Sequence, residues 1–298
     1  MAYRYWSIIV LLGVVWGTSF FFNEILLREL GPFWTSAGRV GCGALGCWIW
    51  VLARRRDVRV SPRLLGILAI FGLMQYALPL TIYPVAQQYI TSSAAGIVNA
   101  MTPITVVLVS HFWPGGENAT WSKSIGVAVG FLGMIVVIWP EFEGQGSSNP
   151  WAMLLAILAP VCYAITGNIL RWLDDLGRIV MTAWSLLFGA IILVPLALIT
   201  EGLPVITRAE TWGSLAAIGF VSTSAAFIIL YWLIPKVGPT SASAITYIAP
   251  ISAIGLGVLF LSERLLFVQG IGMAIIFVGL LFIDGRIFGL FRKAQPSG

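Results

Sequence analysis

An all-α polytopic membrane protein, with ten transmembrane helices arranged as two inverted five-helix repeats, is the fold class that this 298-residue sequence predicts. Three observations point to it. The composition is 59% hydrophobic and only 10% charged. The Arg and Lys residues are distributed one-sidedly over the loops. A weak self-similarity recurs with a period near 146 residues.

The charge deficit sets the class, because a soluble domain carries roughly 25% charged residues. A mean hydropathy of +0.94 leaves too little polar surface to face water. Lipid admits only helices or closed barrels, since every backbone polar group must be satisfied internally. A spanning helix needs about 20 apolar residues, and the apolar runs here are too long and uniform for barrel strands. The predicted spans are 5–28, 32–53, 64–83, 88–113, 121–139, 151–172, 178–200, 211–234, 239–261 and 265–284. The first run has no clear small-residue cleavage site and reads as a retained helix, not a signal peptide.

Orientation follows from the excess of Lys and Arg on cytoplasmic loops. With the N-terminus inside, the cytoplasmic side holds Arg4, Arg54, Arg55, Arg56, Arg59, Arg63, Lys123, Arg171, Arg178, Lys236, Arg286, Arg292 and Lys293. The outer side holds Arg28, Arg208 and Arg264. Thirteen against three places both termini in the cytoplasm. The net charge of +5 is accordingly a topology signal and not a nucleic-acid one.

The repeat explains the architecture. Trp6 and Asn23 recur as Trp151 and Asn168, Ala37 and Gly43 as Ala183 and Gly189, Gly66 and Gly72 as Gly213 and Gly219, and Pro103 as Pro250. Ile125, Gly126, Ala128 and Gly133 recur as Ile271, Gly272, Ala274 and Gly279. The offset drifts only from 145 to 147. Five helices is an odd number, so the second copy enters the membrane from the opposite side, as in many secondary transporters. The expected units are 1–140, a connecting outer loop 141–150, and 151–298 with a short cytoplasmic tail.

Candidate functional residues fall into three groups. Pro103 and Pro250 are hinge candidates in helices 4 and 9, because an interior proline removes a hydrogen bond and bends the helix. The carbonyls expected to be freed belong to Asn99 and Thr246. Ser92, Gly96, Asn99 and Pro103 share one face of helix 4, and Pro239, Ser243, Thr246 and Pro250 the matching face of helix 9. A static kink is the alternative. Polar and aromatic residues near mid-depth form the second group: Trp16, Phe20 and Asn23; Gln75, Pro79 and Tyr83; Tyr163, Thr166 and Asn168; Ser222, Thr223 and Tyr231; and Tyr247. Interhelical hydrogen bonds account for any one of them. Together they suggest a central cavity formed by helices 1, 3, 4, 6, 8 and 9, with Trp16, Gln75, Tyr83, Asn99, Tyr163, Thr246 and Tyr247 as substrate-binding residues. Helices 5 and 10, lacking mid-depth polar groups, are expected outside it. Glu24 and Arg39 form the third group, as intramembrane ionisable residues that are functional candidates by default. They are expected to pair or to lie close together near the outer ends of helices 1 and 2, as a structural tie or an outer gate. His111 is expected at the membrane edge.

Several chemistries are disfavoured. Cys42, Cys47 and Cys162 lie in apolar runs without disulfide or metal spacing. There is no GxxxxGK[ST] phosphate loop. One histidine and unclustered carboxylates offer no metal centre, and no catalytic Ser/His/Asp set can be assembled. No cofactor is expected. The small-xxx-small spacing of Gly126 and Gly130, and of Gly38, Cys42 and Gly46, suits close helix packing.

The sequence resembles the drug/metabolite transporter superfamily, in its EamA-type amino-acid and metabolite exporters, including the bacterial aromatic amino acid exporter group. The resemblance spans essentially the whole chain. It rests on WGTSFFFNEILL from Trp16, SAGRV with Arg39, SSAAGIVNAMTP ending at Pro103, and SASAITYIAPISAIGLGVLFLSERL with Pro250 and Glu263. It implies ten helices, export of small metabolites, and a glutamate after both helix 4 and helix 9. Here those are Glu117 and Glu263, although WPGGEN around Glu117 departs from the usual apolar lead-in.

The expected function is alternating-access export of amino acids or similar small zwitterions across a bacterial inner membrane. A zwitterion carries no net charge, so hydroxyls, amides, carbonyls and ring faces can satisfy it. A phosphorylated substrate calls for basic residues in the bundle, where only a non-central Arg39 is expected. No mid-depth carboxylate offers proton coupling, which suits movement down the substrate's gradient. Alternatives are export of other metabolites or drugs, a channel, or a membrane-embedded enzyme. The expected partners are the substrate and the bilayer, with no nucleic acid, and the expected state is a monomer.

Overall fold

The computed structural model of the protein describes residues 3–173 and 176–285. Eight helices are long and apolar enough to cross a membrane: α1 (Tyr3–Leu26), α2 (Pro32–Ala53), α3 (Pro62–Gln87), α4 (Ser92–Phe112), α5 (Trp121–Phe142), α6 (Pro150–Ile169), α7 (Arg178–Glu201) and α8 (Ala209–Val237). Two shorter apolar helices complete ten, α9 (Ile245–Phe260) and α10 (Phe267–Ile283). Their boundaries follow local chemistry. Thr91 starts α4 by accepting the Ala94 N–H, and Asn149 starts α6 by accepting from Trp151 and Ala152. Both are ordinary N-cap bonds that satisfy orphan amides.

Connectivity groups the loops at two ends. Asn149 N–H donates to the Tyr89 carbonyl, and the Glu29 carboxylate accepts from Thr207. These contacts join loops α3–α4 with α5–α6, and α1–α2 with α7–α8, at what we term the far face. At the opposite, N-terminal face, Trp184 donates to the Val58 carbonyl and Ser122 to Phe282. The N-terminal face also carries Arg54, Arg55, Arg56, Arg59 and Arg63. Of the thirteen basic residues assigned to the cytoplasm, Arg286, Arg292 and Lys293 lie outside the described residues. The bundle's outer surface is apolar, with Leu45, Ile49, Leu132, Ile135 and Ile191 all exposed. Trp121, Trp139, Trp151 and Trp212 stand exposed near helix ends, where amphipathic rings favour the headgroup level.

Two packing relations matter for the site. Helices α5 and α10 lie backbone to backbone: a methyl on Gly279 would come within 2.6 Å of the Gly126 carbonyl, and one on Gly133 within 2.7 Å of the Gly272 carbonyl. Helix α8 presses on α2, where a methyl on Gly219 would meet Cys42 at 2.3 Å and one on Gly43 would meet Thr223 at 2.7 Å. Only glycine permits such approach.

Helices α3 and α8 each contain a wide π-helical stretch, at Leu73–Ala77 and Ala217–Ala225. They occupy equivalent places in the two repeats. In α3 the stretch precedes Pro79, whose missing N–H leaves the Gln75 carbonyl without its usual partner. In α8, Thr223 Oγ1 donates to the Ile218 carbonyl at 2.9 Å and Ser224 Oγ to Gly219 at 3.4 Å, five residues back. Such insertions rotate the following helical face and are frequent at functional sites.

The proline-containing helices differ from the expectation. Helix α4 breaks at Ala100–Met101, and Pro103 begins the second segment, Thr102–Phe112. There its missing N–H costs nothing. The Asn99 carbonyl is not free, since Thr102 Oγ1 donates to it at 2.7 Å. Helix α9 instead runs unbroken through Pro250. Its discontinuity lies at Ser243–Ala244, after the short helix Pro239–Ala242.

Candidate functional site: a central cavity in the bundle

A cavity of about 290 Å³ occupies the middle of the bundle. Its walls are Trp16, Ser19 and Phe20 of α1, Arg39 of α2, and Phe71, Gln75, Tyr76, Leu80 and Tyr83 of α3. Asn99 and Thr102 of α4, Tyr163, Thr166 and Gly167 of α6 with Leu170 just beyond it, Thr223, Phe227 and Tyr231 of α8, and Thr246 and Ala249 of α9 complete it. Among the described residues, none of α5, α7 or α10 takes part.

One side is an aromatic cluster. Phe227 stands 5.7 Å from both Trp16 and Tyr76 and 6.0 Å from Tyr231, centroid to centroid. The other sides are polar but internally bonded. Tyr83 donates to Asn99 Oδ1 at 2.9 Å, and Thr166 donates to Gln75 Oε1. Buried polar groups held this way are rigid and cost little.

The cavity is shut off from the far face by a plug between α1, α3 and α4. Phe20 and Tyr83 meet edge to face at 5.1 Å. Above them Gln87 donates to the Phe20 carbonyl and accepts from Asn23 Nδ2, both at 2.9 Å. Beyond the plug lies a second, polar pocket of about 310 Å³, lined by Glu24, Arg28, Gln87, Gln88, Tyr89, Ile90, Thr91, Ser147, Leu261 and Glu263. Glu263 accepts the Ser92 and Ser93 amides at 2.7 and 2.9 Å, tying the start of α4 to the α9–α10 loop. A carboxylate is favoured at a helix N-terminus.

Six of the seven expected binding residues line the cavity: Trp16, Gln75, Tyr83, Asn99, Tyr163 and Thr246. Tyr247 does not. Its hydroxyl donates to Asp284 at 3.0 Å and its ring packs on Phe277, because the one-residue step from Thr246 turns it toward α10. Asn168 is likewise directed between helices, bonding Ser110 at 3.0 Å.

The expected Glu24–Arg39 pair is not formed. Glu24 faces the far-face pocket. Arg39 instead enters the central cavity wall, donating through Nε to Thr223 Oγ1 at 3.2 Å and through Nη2 to Ser19 Oγ at 3.1 Å. It is therefore central, contrary to the sequence expectation. Two turns of helix place its Cα toward the far face, but its long side chain reaches inward. The π-helical stretch of α8 delivers Thr223 to meet it. Glu117 and Glu263 also differ in role: Glu117 pairs with Lys123 on an exposed surface, not with a helix start. His111 sits exposed, accepting the Ala119 amide at 3.2 Å.

Tyr76 and Phe227 were not anticipated. Tyr76 is seven residues before Tyr83, an interval that shares a helical stripe. Following the Gln75–Pro79–Tyr83 series alone misses it, because the π-helical stretch turns both Gln75 and Tyr76 toward the cavity.

A multi-pass helical bundle with a small central cavity, closed at one membrane face, defines a membrane transporter. The chain belongs to the EamA-like transporter family, whose model matches it twice, at residues 4–139 and 150–284. It is 23% identical over 261 residues to the uncharacterized transporter YoaV of Bacillus subtilis, covering 86% of this chain and 88% of that one. The uncharacterized inner membrane transporter YedA of Escherichia coli K12 is 23% identical over 278 residues, covering 91% and 88%. Protein PecM of Dickeya dadantii is 22% identical over 287 residues, covering 95% and 93%. A solved crystal structure superposes with a TM-score of 0.67 at 20% identity, covering 94% of this chain and 97% of the other, and shares the fold.

Proposed function

We propose that this transporter exports amino acids or similar small zwitterionic metabolites across a bacterial inner membrane by alternating access, with its N-terminal face in the cytoplasm. The observation that carries the reading is the cavity wall: ring faces, amides and hydroxyls, with one cation and no carboxylate. Such a lining suits a compact solute without net charge, whereas a phosphorylated one needs several basic partners. The cytoplasmic assignment rests on the thirteen-to-three bias of basic residues, and the inner membrane is where YedA of Escherichia coli is placed by name. Pro103 and Pro250 are the hinge positions in this scheme. With no carboxylate in the cavity to carry a proton, the solute moves down its own gradient.

The test is counterflow of a panel of radiolabelled amino acids into proteoliposomes containing the purified protein. Saturable counterflow of at least one amino acid is expected. Flux that does not saturate and shows no counterflow identifies a channel. No flux of any amino acid overturns the amino-acid reading.

A further inference from the structure

We infer that Arg39 is a carboxylate anchor, so that the cavity demands a carboxylate on its substrate and does not demand an amine. The inference rests on the transport reading and names the substrate chemistry of the same cavity.

Arg39 is only 9% exposed and sits within a membrane span. A charge there is costly and persists only when something compensates it. Among the described residues no Asp or Glu forms an ion pair with it; its hydrogen-bond partners are the neutral hydroxyls of Thr223 and Ser19. The described carboxylates, from Glu24 to Asp284, occupy loops and helix ends and not the cavity wall. The described residues therefore bury a cation and supply no counter-ion for it.

The guanidinium is held ready for one. Thr223 and Ser19 take its Nε–Nη2 edge, fixing the plane between α1, α2 and α8. Among the described residues Nη1 makes no hydrogen bond, and the Nη1–Nη2 edge remains for an oxyanion. That edge matches a carboxylate in a two-pronged, charge-assisted contact. The volume of about 290 Å³ fits one small solute.

No carboxylate of the wall awaits an ammonium group. The two amide oxygens of the wall are engaged, Gln75 Oε1 by Thr166 and Asn99 Oδ1 by Tyr83. Ring faces such as Trp16 remain, and they attract a cation weakly. A positive group also meets repulsion from Arg39. The polar end that the site can read is the carboxylate.

Four probes that share a phenylethyl skeleton separate the possibilities: L-phenylalanine, 3-phenylpropionate, L-phenylalaninamide and phenethylamine. Binding to the purified full-length protein is measured for each by titration calorimetry. L-phenylalanine and 3-phenylpropionate are expected to bind, with the amide and the amine at least about tenfold weaker, the scale of one charged hydrogen bond. Arg39→Gln should weaken 3-phenylpropionate by about ten- to a hundredfold while leaving phenethylamine equal or tighter; Arg39→Lys should keep part of the preference. A merely structural Arg39 would weaken all four alike. Equal binding of acid and amine by the wild-type protein overturns the inference without needing any variant to fold. So does an unchanged preference in Arg39→Gln, or no binding of either acid. If 3-phenylpropionate binds through Arg39 and no amino acid is transported, the anchor stands and the amino-acid reading falls. Amino-acid counterflow with an Arg39-independent preference has the reverse meaning.

Discussion

Replacing Gln87 by leucine should open the far face. The Gln87 amide is 4% exposed and makes two bonds across helices, to the Phe20 carbonyl and from Asn23, each 2.9 Å. Leucine has nearly the same bulk, so packing around Phe20 and Tyr83 survives while both bonds vanish. Each neutral bond contributes about 1 kcal/mol net, and a donor stranded without water costs about 1–3 kcal/mol. The stranded donor is Asn23 Nδ2. When the far face opens, water from the adjoining polar pocket hydrates the same groups, so the penalty falls on the closed state alone. The closed form should lose about 2–3 kcal/mol, which moves the closed-to-open ratio by roughly 30- to 150-fold. The assay places a cysteine at Ala249 on the cavity wall, in a background with Cys42, Cys47 and Cys162 replaced by alanine. A membrane-impermeant maleimide is then applied from the far face. Labelling should accelerate markedly in Gln87→Leu at normal expression and thermal stability. Equal labelling rates with and without the substitution would show that the plug is not set by this amide.

Four further outcomes are expected. Glu263→Ala, which strips the carboxylate from two amides at the start of α4, should lower the melting temperature through a loss of about 1–2 kcal/mol. Glu117→Ala, breaking an exposed pair, should cost under about 1 kcal/mol by the same melting assay; the opposite ranking refutes the assignment. Pro250→Ala, which restores a donor inside continuous α9, should slow turnover more than Pro103→Ala, where the proline only begins a segment; counterflow at wild-type rate in both makes them static kinks. Hydrogen bonds from Thr207 and Thr211 hold the Glu29 carboxyl down at about 2. A depressed carboxylate stabilises fully above its unfolded value of 4.5 and loses that contribution as pH falls toward about 2. Glu29→Gln should therefore lower the melting temperature at pH 7 and converge with the wild type near pH 2. Single cysteines replacing Arg56 and Glu143 should label from opposite sides of the membrane, and labelling of both from one side contradicts the topology.

The spans were legible because lipid imposes a coarse, additive requirement. Length and apolarity over some twenty residues locate a helix whatever its neighbours do. Half of the cavity wall was legible for a related reason: an uncharged polar residue such as Gln75 or Asn99 must face another helix or a space. What escaped depended on sub-turn geometry. Tyr247 and Thr246 differ by one residue, about 100° around the helix, and that angle separates α10 from the cavity. Arg39 was misplaced because a guanidinium can stand several ångströms from its Cα, and sequence depth locates only the Cα. The hydroxyls of Thr102 and Thr223 pair with backbone carbonyls three and five residues back, so a freed carbonyl inferred from proline alone is already taken. Tyr76 was hidden by the π-helical stretch, which a regular 3.6-residue count cannot register.

The departures from repeat symmetry bear on mechanism. In an inverted repeat each half provides the other's alternative conformation, so a difference between equivalent helices reports which face is closed. Here α4 is broken three residues ahead of Pro103, while α9 passes Pro250 intact and breaks seven residues ahead of it. The far face is crossed by carboxylates that each hold another helix's start: Glu201 on Phe33 and Trp34 of α2, Glu263 on α4, and Glu29 just ahead of α8. At the N-terminal face, α3 and α5 start on their own Ser61 and Thr120 instead. The position equivalent to Glu263 is Glu117, which is spent on Lys123. The cavity wall meanwhile extends toward the N-terminal face through Leu170, Tyr231 and Thr246. At the N-terminal face the described carboxylate that joins two helices, Asp284, accepts from the side-chain hydroxyls of Ser243 and Tyr247 and not from the amides of a helix start. Opening the far face must break these long-range ties between carboxylates and helix starts. A solute can drive that opening only by binding the second arrangement more tightly. Arg39 and Ser19, one residue from the Phe20 carbonyl that anchors the plug, are placed to sense it.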